Sequence, residues 1–407
     1  MQRVEAQTAR LSPQSVTSAR VGSIDLLRAL TMVLMIFVND LWSLKNIPVW
    51  LEHVPGGVDG IGLADVVFPA FLFIVGLSLP YAIDHRREKG DSTLQLVGHI
   101  ASRSVALLVM GVFLVNGESI NEEATGLKRL VWNVLSCTSF ILIWNTYPKT
   151  VPSWLRTGLK TGSILTLIVL AIIYRGGEGD TATRFAPQWW GILGLIGWAY
   201  LASALVTVFA RNRIYVLFIA WVGFCLLSMM AKADLLPEFI RFIPPAIREG
   251  TLAGLSVGGA VIGTLFRQYK KRTDVNGMTI AFVATAAILV GLSVCTRPFW
   301  GLSKLGATPA WLFLCSAFTI LAFTIIHWLA DVMGESKWFS WIKPAGTDTL
   351  LCYLMPYFAY AGVVLLNLKL PDALRTGGVG LLKSFLFAIL CVWAAGKLSR
   401  AGVRLKL

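Results

Sequence analysis

Ala64-Asp65-Val66-Val67-Phe68-Pro69-Ala70-Phe71-Leu72-Phe73-Ile74-Val75-Gly76 is a single carboxylate followed by an apolar run that continues to Leu79. No further charge appears before Asp84, so residues 64–84 have spanning length, which takes about 17–25 residues. Upstream lies the loop Gly56-Gly57-Val58-Asp59-Gly60, preceded by Lys45, Glu52 and His53, one of only 4 histidines. Before that loop, Asn39-Asp40 closes another apolar run. Two polar-tipped hydrophobic segments therefore meet at a loop that carries a histidine. Ionisable groups at the ends of membrane segments are expensive to keep, which makes them functional candidates. The competing reading is that Asn39, Asp40 and Asp65 cap helices at the interface.

The rest of the chain has the same character. Of 407 residues, 56% are hydrophobic and 14% charged, with mean hydropathy +0.69. Soluble domains carry about 25% charged residues. Twelve apolar segments can be read, centred on 24–44, 64–84, 97–116, 129–147, 161–175, 189–210, 213–231, 249–267, 278–296, 309–330, 346–368 and 379–397. The expected fold is all-α and polytopic, with about 10–12 transmembrane helices.

The net charge of +14 does not point to nucleic acid, because Lys and Arg sit in short loops rather than on one stripe. With the N-terminus inside, 22 of the 36 Lys and Arg fall on the cytoplasmic side and 12 on the other, Arg28 and Lys383 lying within spans. That bias predicts both termini in the cytoplasm and His53 outside. Residues 1–20 lack an apolar core and are expected to be a disordered cytoplasmic tail, with organelle import as the lesser alternative.

Other features read as structural. The 6 cysteines lie in or beside apolar runs without a C-x-x-C pair, so neither a disulfide nor a metal site is expected. Gly250, Gly254 and Gly258, continued by Gly259 and Gly263, leave one helix face bare for a neighbour; a groove for a cofactor arm is the rival reading. Most tryptophans stand near span ends, as interfacial belts do. No Walker, Rossmann or zincin pattern is present.

Ser23-Ile24-Asp25-Leu26-Leu27-Arg28-Ala29-Leu30, Met35-Ile36-Phe37-Val38-Asn39, His53 and Ala64 to Gly76 follow one another in an order that resembles the heparan-alpha-glucosaminide N-acetyltransferase family. The resemblance is specific over about residues 22–80. It is weaker at Pro344 to Tyr353 and at Ser303-Lys304 through Thr308-Pro309-Ala310-Trp311. It implies that residues 21–407 form a single transmembrane acyltransferase-like domain. Such a domain moves an acetyl group from cytosolic acetyl-CoA, its co-substrate, to an amino or hydroxyl group of an extracytoplasmic sugar or glycan. A bacterial inner membrane is the expected location, with membrane lipid as surroundings; a homodimer is compatible with this reading.

The resemblance also distributes roles. His53 matches the family's essential histidine, and an imidazole, titrating near 6.5, can serve as base or acetyl carrier. Asn39 matches its paired asparagine, whose amide can polarise a carbonyl or hold the histidine tautomer. Asp65 either orients His53 or binds the acceptor; capping is its alternative. Arg28 pairs with Asp25 three residues away or meets CoA phosphates. Arg103 and Arg129 open apolar spans as family arginines do, and Lys304 is carried over as lining the cofactor site. Thr347, Asp348 and Tyr353 satisfy one another or line the cavity. Two departures stand out. Val54 to Gly60 replaces the family's Trp-Asn-Gly loop, and Ser136-Cys137 stands where relatives show Gln-Arg. A proton-coupled transporter using Asp25, Asp40 and Asp65 is the alternative function, and a non-catalytic scaffold the third.

Overall fold

A computed structural model describes residues 22–177, 183–211, 213–335 and 339–407; the expected tail at 1–20 lies outside them. Each of the twelve apolar segments is a helix. They are α1 Gly22–Asp40, α2 Leu63–Glu88, α3 Thr93–Glu118, α4 Arg129–Trp144, α5 Ser153–Ile173, α6 Ile192–Ala210, α7 Ile214–Lys232, α8 Thr251–Arg272, α9 Val275–Trp300, α10 Pro309–His327, α11 Thr349–Leu365 and α12 Gly377–Arg400. Among the described residues there are no strands, only isolated bridges. The chain is an all-α polytopic membrane protein.

Among the described residues, eight helices are long and apolar enough to cross a membrane: α2, α3, α5, α6, α7, α9, α10 (continued to Val332) and α12. The short apolar helices α4 and α11 accompany them. α1, which carries Asp25, Arg28 and Asp40, and the glycine-rich α8 are outside that set, yet both are largely buried. α5 begins earlier than the expected 161–175, because a charged turn bearing Arg156 and Lys160 precedes its apolar part.

The glycine face of α8 is a packing surface. A Cβ on Gly259 would run into the Phe73 carbonyl, one on Gly263 into the Leu77 carbonyl, and one on Gly76 of α2 into the Ser256 carbonyl. α2 and α8 therefore touch backbone to backbone, an approach that only small residues permit. α8 also meets Trp221 of α7 at Gly258 and Leu312 of α10 at Gly254. Around this centre α3 pairs with α6, α4 with α5, α9 with α10 and α11 with α12. α5 and α7 are the most lipid-like in exposure, with 17% of their apolar windows buried.

α1 is tied in by charge as well as by packing. Arg28 pairs with Asp25 at 2.9 Å and donates to the Gly346 carbonyl at 3.2 Å. At its other end the buried Asp40 carboxylate accepts from Lys383 Nζ at 2.7 Å, Ser384 at 2.6 Å and Tyr360 at 2.8 Å. The segment after α12 returns to the end of α4: Thr146 N–H donates to the Arg404 carbonyl and Lys406 N–H to the Trp144 carbonyl.

Candidate functional site

Pro69 lies inside α2, where it lacks the N–H that would bond the carbonyl four residues back, that of Asp65. The Trp311 indole of α10 fills the gap, donating to the Asp65 carbonyl at 2.9 Å. Asp65 is thus fixed at the first turn of α2 with its side chain 2% exposed. Its two oxygens divide the roles left open by the sequence. Oδ2 accepts from the N–H groups of Gly62 at 3.1 Å and Val54 at 3.0 Å, capping the helix and folding the loop back on it. Oδ1 lies 2.7 Å from His53 Nδ1.

A charged carboxylate at Nδ1 selects the tautomer with its proton there and leaves Nε2 as the basic nitrogen. Among the described residues Nε2 makes no hydrogen bond, and the His53 side chain is 48% exposed. Lys304 Nζ stands 3.2 Å from Nδ1 and 3.9 Å from Asp65 Oδ1. Burial lowers the Lys304 pKa, partly offset by the Asp65 charge.

The loop carrying His53 docks on the α9–α10 connection. Asp59 accepts from Arg297 Nε at 3.0 Å and from the Leu302 N–H at 2.7 Å, and the Gly60 N–H donates to the Leu302 carbonyl at 2.9 Å. The Leu302 N–H, then Arg297, hold the Asp59 carboxyl below the usual carboxylate range.

Two cavities run along α1. The first, about 410 Å³, is lined by the basic side chains Arg28, Arg86, His99, Arg103 and Lys406 and by Met32, Met35, Phe71 and Tyr353 among others. The second, about 280 Å³, is lined by Asn39, Glu118, Trp190 and Tyr357 among others. Leu193 and Tyr353 belong to both. On α1 the lining residues are Arg28, Met32, Met35 and Asn39, spaced as one helical face.

The structure therefore separates the expected site residues into four places. His53, Asp65 and Lys304 meet in one cluster, so Lys304 is beside the histidine and not with the arginines. Arg28 and Arg103 share the first cavity, together with Thr347 and Asp348, which also bond each other at 2.7 Å. Asn39 lines the second cavity and makes no hydrogen bond to His53. Arg129 opens α4 at the Glu118 end of α3, away from Arg28 and Arg103; its backbone N–H donates to Glu122. Glu118, Tyr357, Asp59 and Arg297 were not anticipated. A lone acid closing α3 was the available signal for the first.

A protein family described as a domain of unknown function (DUF5009) matches residues 20–236, which hold α1 to α7. The chain belongs to the DUF5009 family. This DUF5009 protein is also related at family level to heparan-alpha-glucosaminide N-acetyltransferase. The Mus musculus protein of that name is 34% identical over 120 residues, 28% of this chain and 17% of its own length. The Homo sapiens protein is 34% identical over 117 residues, 28% of this chain and 16% of its own. The DUF5009 chain thus covers about one sixth of the curated relatives it matches.

Proposed function

We propose that this protein is a membrane-embedded acetyltransferase that takes an acetyl group from acetyl-CoA on the Arg103 side and delivers it to a sugar amine or hydroxyl on the Asn39 side. The observation that carries the reading is the shared wall of Leu193 and Tyr353, which makes two cavities one interrupted path along α1. The first cavity suits the co-substrate in its donor set. Arg103 lies with its guanidinium 4.7 Å from the Tyr200 ring, and its buried Nε has no hydrogen-bond partner among the described residues. Arg28, Arg86, Arg103 and Lys406 would hold phosphates, and Met32, Met35, Phe71 and Ile196 an apolar arm. The thioester supplies an activated acetyl group. Asn39 offers its amide as hydrogen-bond donor to a developing oxyanion.

His53 is the base in this reading, taking a proton at Nε2 while Asp65 holds Nδ1–H. His53 lines neither cavity, so the 44–62 loop must carry it toward Asn39, against the Asp59–Arg297 contact. Both termini are placed in the cytoplasm by the charge bias, and a bacterial inner membrane is the proposed location. The transporter reading is less well supported. It needs a carboxylate free to cycle a proton, whereas Asp25 pairs with Arg28, Asp40 with Lys383, and Asp65 serves three partners.

The test is acetyl-CoA titrated into the purified full chain, followed by thermal stability and acetyl transfer. Stabilisation is expected in the native chain and reduced in Arg103→Ala. If acetyl-CoA neither stabilises the protein nor is consumed with any sugar acceptor, the reading fails.

A further inference from the structure

Resting on that reading, we propose that His99 binds phosphate in the first cavity and takes up a proton as acetyl-CoA binds, so that affinity for the co-substrate rises as pH falls. On α3 the lining residues are Leu96, His99, Ile100, Arg103 and Leu107, one helical face on which the imidazole and the Arg103 guanidinium stand a turn apart. The half-buried His99 ring makes no hydrogen bond or ion pair among the described residues. It therefore bridges nothing within the protein, and its nitrogens are available to a ligand in the cavity.

Arg103 acts on His99 from its own helix, and Arg86 and Asp91 act on it from the end of α2 and the turn that follows. Arg28, Tyr200, Asp348, Tyr353 and Lys406 complete the ionisable side chains of the lining. Two of the cations are already matched by acids, Arg86 by Asp91 at 2.8 Å and Arg28 by Asp25 at 2.9 Å. Arg103 and Lys406 have no acid within salt-bridge distance among the described residues, so they are what the cavity offers first to phosphate. A diphosphate and a phosphate monoester together carry more negative charge than two cations balance. Among the described basic side chains of the lining, His99 is the one whose charge changes between pH 5 and 8. A proton there adds a charge-assisted donor to a phosphate oxygen, and the phosphate in turn stabilises that proton. Binding and protonation favour each other by the same factor. The proton comes from solvent, and no bond of the co-substrate breaks.

The experiment uses the full chain in lipid nanodiscs and measures acetyl-CoA affinity at pH 6, 7 and 8. The heat of binding is also read at pH 7 in two buffers of different ionisation enthalpy, which counts the protons taken up. The native chain should gain about 10-fold in affinity from pH 8 to pH 6, the low end for a hydrogen bond to a charged group, and should take up part of a proton. The phosphate monoester itself titrates near pH 6, so each series is compared with the same ligand on His99→Gln. That variant should flatten the rise and lose the uptake. His99→Arg, charged throughout, should also flatten it, at the tighter level. A rise of equal size in the native chain and His99→Gln, or equal proton uptake by the two, overturns the assignment. If His99→Gln does not fold, His99→Arg is read instead, and a pH dependence that survives there overturns it as well. Binding by the native chain that does not vary with pH sinks this assignment alone. No binding of acetyl-CoA at any of the three pH values sinks the acetyltransferase reading and this assignment with it.

Discussion

Asp65 works with both oxygens, and each can be addressed by substitution. Asp65→Asn keeps an acceptor for the loop N–H groups but can turn an NH₂ toward His53 Nδ1, which favours the wrong tautomer. By analogy with the same change in a catalytic triad, transfer should fall by as much as about 10⁴-fold, with acetyl-CoA binding intact. His53→Ala should abolish transfer and also leave that binding unchanged. Near-normal transfer in either variant removes the pair from the chemistry.

Asp59 asks a different question. Its pKa is depressed, so the latch it forms with Leu302 and Arg297 is fully present above the ordinary carboxylate value of about 3.9. It is lost only as pH falls through the lower folded value. Between pH 5 and 8 its titration contributes nothing. If the loop must swing to deliver His53, Asp59→Asn should raise the transfer rate by a factor that stays constant over that range. A lowered rate would mean that the docked loop is the working form.

Among helices, legibility followed how local the signal was. The twelve segments were visible because apolar runs are contiguous, and Asp65 near His53 could be guessed because both border one short loop. Lys304 beside His53 could not, since 251 positions separate them and no periodicity reports such a contact. Nor could the division of Asn39 from His53 be read, because it depends on which face of α1 meets the cavities. The glycine face was read correctly as packing. Gly259→Ala should destabilise by about 1–3 kcal/mol or more, since its methyl group meets the backbone of α2 rather than a side chain that can give way; a melt unchanged by the substitution would contradict that packing. The α1–α12 tie behaves differently. Lys383→Met leaves Asp40 buried without its cation and should cost about 3–5 kcal/mol, whereas Asp40→Asn combined with Lys383→Met should recover much of the loss. A single variant as stable as the native chain would show the pair to be dispensable.

At the scale of the molecule, orientation decides whether the two cavities face different compartments. Val58, 52% exposed in the His53 loop, is a suitable reporter, with the exposed Cys295 replaced by Ser. Val58→Cys should react with a membrane-impermeant maleimide in intact cells. Labelling only after lysis would place that loop in the cytoplasm and reverse the path. The inside–outside polarity is an expectation from Lys and Arg placement that this labelling tests, whereas the proposed path, lined from α1, α3, α6 and α11, could be drawn only from the packing.

The return of the last residues to α4 has a practical consequence for handling the protein. Leu405, Lys406 and Leu407 form part of the wall of the arginine-lined cavity, and Lys406 is pinned to Trp144. A purification handle or fluorescent fusion attached behind Leu407 would therefore hang beside that opening and should weaken binding of the proposed acetyl-CoA in an otherwise sound preparation. Handles are better placed ahead of α1, and any disagreement between the two placements would itself measure how much room the opening leaves.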